Sequence, residues 1–444
     1  MQVLAVSTFE GGFQPMSLAT TVARMERAGV EVRVLDTYVD GVSDEILSSA
    51  DLVAISVPLF DSIAPSIEIA RRVRARRPDA HITFFGQYAT INAAGLAGTY
   101  GDSGVLGEWE EPLATLAVAM QQKRGSDMAW EIPGIFWSRR PALTKPHFPR
   151  RNREALPLTM PVKLADAARV PFLVPNRDRL PPLVKYPQPH VERLTGRSHI
   201  VGGTEITRGC HHRCSYCSVF AAYEGRVFPI PEDIIVEDVR TLVSQGMTHL
   251  TFMDADFINA KHHGIKVLRR LHAEFPELTY DFTTRADHIL ENREAMTEMR
   301  GLGVRFVTSA LEFPVQRVLD ALDKKLTVAE IEECIAFMRE TGIGLNPTFI
   351  MFNPWIGMDD LAMFHDFVAR NRLEDVIEPI QYETRLNLYK GSPLLKDPFV
   401  RSLALTEHEF HVDWAHPDPQ VDEVYRQNVT PREEGVFKRC CLKC

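Results

Sequence analysis

Cys210, Cys214 and Cys217 are spaced CxxxCxxC within CHHRCSYC, directly after the run TEITRG. Three thiolates packed so closely can ligate three irons of a cubane, and the fourth iron is then left open to a further molecule. A zinc site would need a fourth donor, which His211 or His212 inside the loop could supply, but zinc sites usually draw on paired CxxC arms. A disulfide is disfavoured, because seven cysteines in 444 residues are too few for a disulfide scaffold and the odd count fits a reducing compartment.

A second triad, Cys440, Cys441 and Cys444, closes the sequence in RCCLKC. Lys438, Arg439 and Lys443 favour its thiolates over thiols. Four readings stay open: a second iron-sulfur cluster, zinc with a remote fourth ligand, a redox thiol set, or trivalent arsenic, which takes three thiolates in a pyramid. Cys334, inside AEIEECIAFMRE, reads as a packed helix thiol.

Further polar groups fall where strands should end. FMDADF carries Asp254 and Asp256, TTRAD carries Arg285, and VTSALEF carries Ser309 and Glu312. Solvated loop acids or a buried Arg/Glu ion pair would also account for them. The apolar runs FIMFNPWIG and LNLYKGSPL suit either core packing or the lining of a substrate space.

Elements that could position these groups come from the hydrophobic periodicity. Over 1–123, the runs VLAVS, VEVRVLDTY, LVAISVPLF and HITFFGQYA alternate with amphipathic helical stretches. That pattern predicts an α/β Rossmann- or flavodoxin-like domain with a parallel sheet covered on both faces. Ligands of such sheets sit beyond the strand carboxyl ends, here around residues 7–13, 58–62 and 86–90. Residues 124–199 are rich in proline without sustained period and read as a connecting segment. Over 200–397, six strand candidates (TEITR, HLTFMDA, LTYDFTTRA, VRFVTSALEF, GLNPTFIMF and IQYETRLNLY) alternate with helices, predicting a partial (β/α)6 TIM-like barrel with its site at the carboxyl ends. Residues 398–444 form a less regular extension that ends in the cysteine tail.

The formal net charge of -9 is at odds with a nucleic-acid-binding face. No run approaches a membrane span, and the amino terminus lacks the pattern of a signal peptide, so a cytoplasmic protein is expected.

CHHRCSYC, with an aromatic just before the third cysteine and placed after the first barrel strand, resembles the signature of the radical S-adenosylmethionine (SAM) superfamily; the resemblance extends over about 204–394. It implies that Cys210, Cys214 and Cys217 hold a [4Fe-4S] cluster whose open iron binds SAM, with electrons from a flavodoxin- or ferredoxin-class donor. It also implies Asp254 and Asp256 near the SAM amino group, Arg285 for its carboxylate, Ser309 and Glu312 for the ribose, and Tyr216 near the adenine. A Rossmann-like domain ahead of such a barrel is the arrangement of the cobalamin-binding class. Since STFEGGFQPMS contains neither DxHxxG nor histidine, no axial imidazole can come from that loop, and cobalamin is possible but not favoured. Together with this framework, RCCLKC resembles the radical SAM enzymes of arsinothricin biosynthesis. That resemblance implies As(III) held by Cys440, Cys441 and Cys444 and alkylated by the 3-amino-3-carboxypropyl group of SAM. The alternatives are a cobalamin-dependent methylase with an auxiliary metal site in the tail, or a metalloid carrier that cleaves no SAM.

Overall fold

Strand β1 (Val3–Ser7) is buried at every position, as a strand covered on both faces must be. It pairs in parallel with β2 (Val32–Asp36) on one side and with β3 (Leu52–Ser56) on the other. β4 (His81–Phe85) and β5 (Ser103–Val105) continue the parallel sheet, and β6 (Ile135–Trp137) closes it antiparallel, giving the order β2-β1-β3-β4-β5-β6. The last two strands are too short for a period to betray them in the sequence. The helix Met16–Arg27 buries Leu18, Ala19, Val22 and Met25 against Val3 and Ala5. With β1 flanked by β2 and β3, the order places a switch point between β1 and β3 in the parallel sheet that the periodicity predicted.

The computed structural model describes residues 1–122, 132–137, 171–390 and 392–429. Two compact units result: Met1–Pro187 with Glu237–Gly246, and Gln188–Val236 with Met247–Cys444. Cys440, Cys441 and Cys444 lie outside the described residues.

The second unit has a parallel sheet of order β13-β12-β11-β10-β7. Its strands are β7 (Val201–Thr204), β10 (His249–Phe252), β11 (Thr279–Thr283), β12 (Val304–Glu312) and β13 (Gly344–Phe349). Two details depart from the sequence reading. The first barrel strand is β7, one step earlier than TEITR, whose end instead forms β8 (Thr207–Gly209), antiparallel to β9 (Val227–Pro229). The sixth strand position is reduced to one parallel bridge, Phe352 to Arg385. The rest of IQYETRLNLY supplies a 3-10 turn, Pro379–Glu383, and β14 (Leu388–Tyr389), which joins β15 (Ala404–Glu407) and β16 (His411–Ala415) in an antiparallel sheet.

Between the strands, helices begin and end on signals in the sequence. Thr327 and Glu330 form a reciprocal capping box at the start of Val328–Thr341, and Gly342 at φ +70° ends that helix. Among the described residues, no helix is long and apolar enough to cross a membrane.

Candidate functional site

Gly209 delivers the cysteine loop. Its φ is +86°, and a Cβ there would stand 2.2 Å from the Arg226 carbonyl oxygen, so the β8–β9 hairpin closes around the loop only with glycine. Cys210 follows immediately and is 8% exposed, whereas Cys214 and Cys217 are half-buried; all three are free thiols. The loop is held from the carboxyl-terminal side of the unit. Tyr389 donates its hydroxyl to the Cys217 carbonyl at 2.8 Å, and Ser392 donates to that of Ser215 at 3.4 Å.

Burial pushes the Cys210 thiol up to about 11 and raises Cys217 as well, so without a cation both favour the neutral form. Two donors face the sulfurs all the same: Asn259 Nδ2 lies 3.3 Å from Cys210 Sγ, and Arg285 Nη1 lies 3.5 Å from Cys214 Sγ. Soft donors with hydrogen bonds aimed at sulfur fit an iron-sulfur cluster, whose iron would hold the thiolates that burial otherwise disfavours.

The two acids of FMDADF part company. Asp254 is fully buried and accepts from Ile206 N at 3.0 Å, Thr207 N at 2.7 Å and Thr207 Oγ1 at 2.6 Å; it clamps the start of β8. Asp256 Oδ1 accepts from Thr284 Oγ1 at 2.5 Å and from Ile258 N. Its Oδ2 lies 2.9 Å from His288 Nδ1 and 3.5 Å from His212 Nε2. Burial alone would raise this carboxyl, but the two imidazoles and the Thr284 hydroxyl hold it well below the usual carboxylate range. For its part, His288 is raised by Asp256 against its own burial.

Arg285 is held on three sides: it donates to Asp287 at 2.7 Å, to the Lys324 carbonyl at 2.6 Å, and toward Cys214. Ser309 is fully buried, and its hydroxyl has no hydrogen-bond partner among the described residues. An orphaned hydroxyl in the carboxyl half of β12 can partner a ligand hydroxyl. Glu312, at φ +61°, stands where the β12–β13 register shifts, an uncommon conformation for a residue with a side chain. Its carboxylate accepts from Lys324 Nζ at 2.5 Å and from the Tyr216 hydroxyl. Tyr216 is thereby anchored through its oxygen, and burial with the neighbouring Glu312 carboxylate pushes its pKa up, so the phenol stays neutral.

The structure thus gathers Cys210, Cys214, Cys217, Tyr216, Asp256, Arg285 and Glu312 around the cysteine loop, places Ser309 inside β12, and sets Asp254 to a scaffold contact. Sequence reasoning missed Asn259, His288 and Lys324. The signal for Lys324 was faint: Asp323 and Lys325 flank it at φ +50° and +52°, and only that tight turn brings it back onto Glu312.

At the first unit's switch point Glu10 is paired within the chain, while the buried Ser7 hydroxyl has no hydrogen-bond partner among the described residues. Every residue from Ser7 to Ser17 is buried. Glu10 accepts from Ser17 N at 3.1 Å and Ser17 Oγ at 2.6 Å, and Ser17 Oγ lies 2.7 Å from Ser56 Oγ. A carboxylate therefore occupies the amino end of Met16–Arg27, where the helix dipole would otherwise attract an anionic ligand.

Residues 204–368 match the family model described as the radical SAM superfamily. The chain is 23% identical over 353 residues to the hopanoid C-3 methylase of Methylococcus capsulatus, covering 77% of itself and 62% of that protein. It is 24% identical over 382 residues to the cytidylyl-2-hydroxyethylphosphonate methyltransferase of Streptomyces wedmorensis, covering 77% of itself and 69% of that protein. Two solved structures share the fold. The radical SAM methyltransferase TsrM of Kitasatospora setae has a TM-score of 0.68 at 19% identity, covering 91% of this chain and 77% of TsrM. The cobalamin-dependent SAM radical enzyme OxsB, with aqua-cobalamin and SAM bound, has a TM-score of 0.72 at 14% identity, covering 96% and 66%. Because Glu10 accepts from Ser17 at the amino end of Met16–Arg27, that helix end would not take an anionic group of a bound cobalamin.

Proposed function

We propose that the chain is a radical SAM enzyme that transfers the 3-amino-3-carboxypropyl group of SAM to As(III), forming a carbon-arsenic bond. The observation that carries this reading is the combination of a three-cysteine loop, with Asn259 and Arg285 facing two of its sulfurs, and three further thiols in RCCLKC, a donor set suited to a pyramidal thiophilic ion.

Cys210, Cys214 and Cys217 would hold a [4Fe-4S] cluster, which when reduced supplies one electron to the sulfonium of SAM. The chain's own groups do the positioning. Asn259 and Arg285 steady two of the sulfurs, Ser309 offers a hydroxyl partner, and Glu312 with Lys324 fixes Tyr216 in the loop. The tail thiolates Cys440, Cys441 and Cys444 would bind As(III), converting a bimolecular encounter into a positioned one. Over the whole reaction the bond from sulfur to the methionine γ-carbon breaks, the carbon-arsenic bond forms, and methylthioadenosine leaves. Two electrons from a flavodoxin- or ferredoxin-class donor keep the arsenic trivalent: one cleaves the sulfonium, and the other accompanies the breaking of one arsenic-sulfur bond, which returns a tail cysteine as thiolate.

A second reading, a cobalamin-dependent methylase, is favoured by the likeness to TsrM, OxsB and the two methyl-transferring relatives and opposed by Glu10 at the switch point. The deciding experiment is mass analysis of nucleoside products after anaerobic reduction with SAM, with and without arsenite, alongside cobalt quantitation. Methylthioadenosine that increases with arsenite, without bound cobalt, supports arsenic alkylation. 5′-Deoxyadenosine or S-adenosylhomocysteine with stoichiometric cobalt replaces it with the second reading.

A further inference from the structure

The hairpin β15–β16 turns tightly. Glu407 pairs with Val412, His408 N donates to the His411 carbonyl at 2.9 Å, and Glu409 and Phe410 form the tip. One face is anchored: Val412 and Trp414 are buried, and Trp414 Nε1 donates to the Leu386 carbonyl at 2.9 Å. Because strand side chains alternate, His411 and Asp413 stand on the other face. His408 joins them from across the turn, its ring stacked on that of His411 with centroids 4.6 Å apart and planes 7° from parallel. Both Nε2 atoms face one carboxylate: His408 Nε2 is 2.9 Å from Asp413 Oδ2, and His411 Nε2 is 3.3 Å from Asp413 Oδ1. The three ligand atoms lie within 4.8 Å of one another on a solvent-facing surface.

We propose that His408, His411 and Asp413 form a divalent transition-metal site on the β15–β16 hairpin, built from residues that belong to neither cysteine triad. Two imidazole nitrogens and one carboxylate oxygen suit zinc, cobalt or nickel rather than magnesium or calcium, which take all-oxygen sets. An ion among the two Nε2 atoms and the Asp413 carboxylate would replace two contacts to one carboxylate with three ligand bonds. The remaining positions would be open to water, as expected of an exchangeable surface site that clips the hairpin.

The test uses the full chain with its iron-sulfur cluster loaded and with Cys440, Cys441 and Cys444 changed to serine, so that no free tail thiol competes. Equilibrium dialysis against Zn2+ should then show one ion per chain. His408→Ala and Asp413→Asn should each weaken that binding by at least about tenfold, since even removing a residue that only supports a ligand costs tenfold or more. His262→Ala, a change at an exposed histidine elsewhere, should leave it unaltered. The site is overturned if the serine background takes up no zinc, or if the His408 and Asp413 variants bind it as tightly as the background. All the residues changed at the hairpin are partly exposed, so the variants should fold; a far-ultraviolet spectrum matching the background confirms that a lost ion is a lost ligand.

Discussion

The Lys324 ammonium lies 2.5 Å from a Glu312 carboxylate oxygen, and both side chains are buried, 2% and 3% exposed. The same carboxylate accepts the Tyr216 hydroxyl, so one buried charge pair ties the cysteine loop to the end of β12. Lys324→Met should therefore strand a carboxylate and destabilise the fold by about 3–5 kcal/mol. Urea denaturation measures this, and pairing it with Glu312→Gln should return much of the loss; if the double variant is no more stable than Lys324→Met alone, the two groups are not coupled.

Cys214→Ser should abolish iron loading and all SAM cleavage, because a cluster short of one thiolate is not retained. Cys334→Ser should keep both: Cys334 is fully buried in the helix Val328–Thr341, with burial pushing its thiol up to about 12. Iron and sulfide quantitation on anaerobically reconstituted protein compares them, and equal loading in Cys214→Ser would remove this residue from the ligand set.

Asn259→Leu should still assemble the cluster but shift its reduction potential downward. The Asn259 amide faces Cys210 Sγ, and a donor to sulfur stabilises the more negative, reduced state. Redox titration followed by electron paramagnetic resonance reads the change; an unchanged potential would mean that the amide does not face a ligating sulfur.

Asp36 gives the first unit a pH signature. Burial pushes its carboxyl up to about 6 from an ordinary 3.8, even though the Tyr186 hydroxyl donates to it at 2.6 Å. The folded state thus binds this proton more tightly than the unfolded chain does. Its contribution to stability is full below about pH 4 and is lost as pH rises to about 6. Asp36→Asn should flatten that slope and make the protein up to about 3 kcal/mol more stable at pH 7.5 than the parent, by denaturant titration at pH 4.5 and 7.5. Parallel slopes would place the proton elsewhere.

Cys441→Ser should keep the cluster and SAM binding while lowering arsenite-dependent product severalfold. Chromatographic product assay at limiting arsenite makes the comparison, and full turnover would remove the tail from substrate capture.

The cysteine spacing, the buried β-runs and the capping residues are local, and the sequence by itself determined what depends on them: two α/β units, a three-thiol loop at the head of the second, and the helix limits around Thr327 and Gly342. Which polar groups stand beside that loop depends on distances between strands far apart in sequence, and that only the tertiary structure decided. Asp254 and Asp256 are two residues apart in one run, yet one braces β8 and the other meets His288 of the helix Ala286–Glu291. Lys324 reaches Glu312 because two left-handed residues turn the chain back, and Glu10 faces Ser17 because the β1 loop folds over a helix end. Periodicity reports which face of an element is buried; which partner a buried charge finds is settled only when the sheets close.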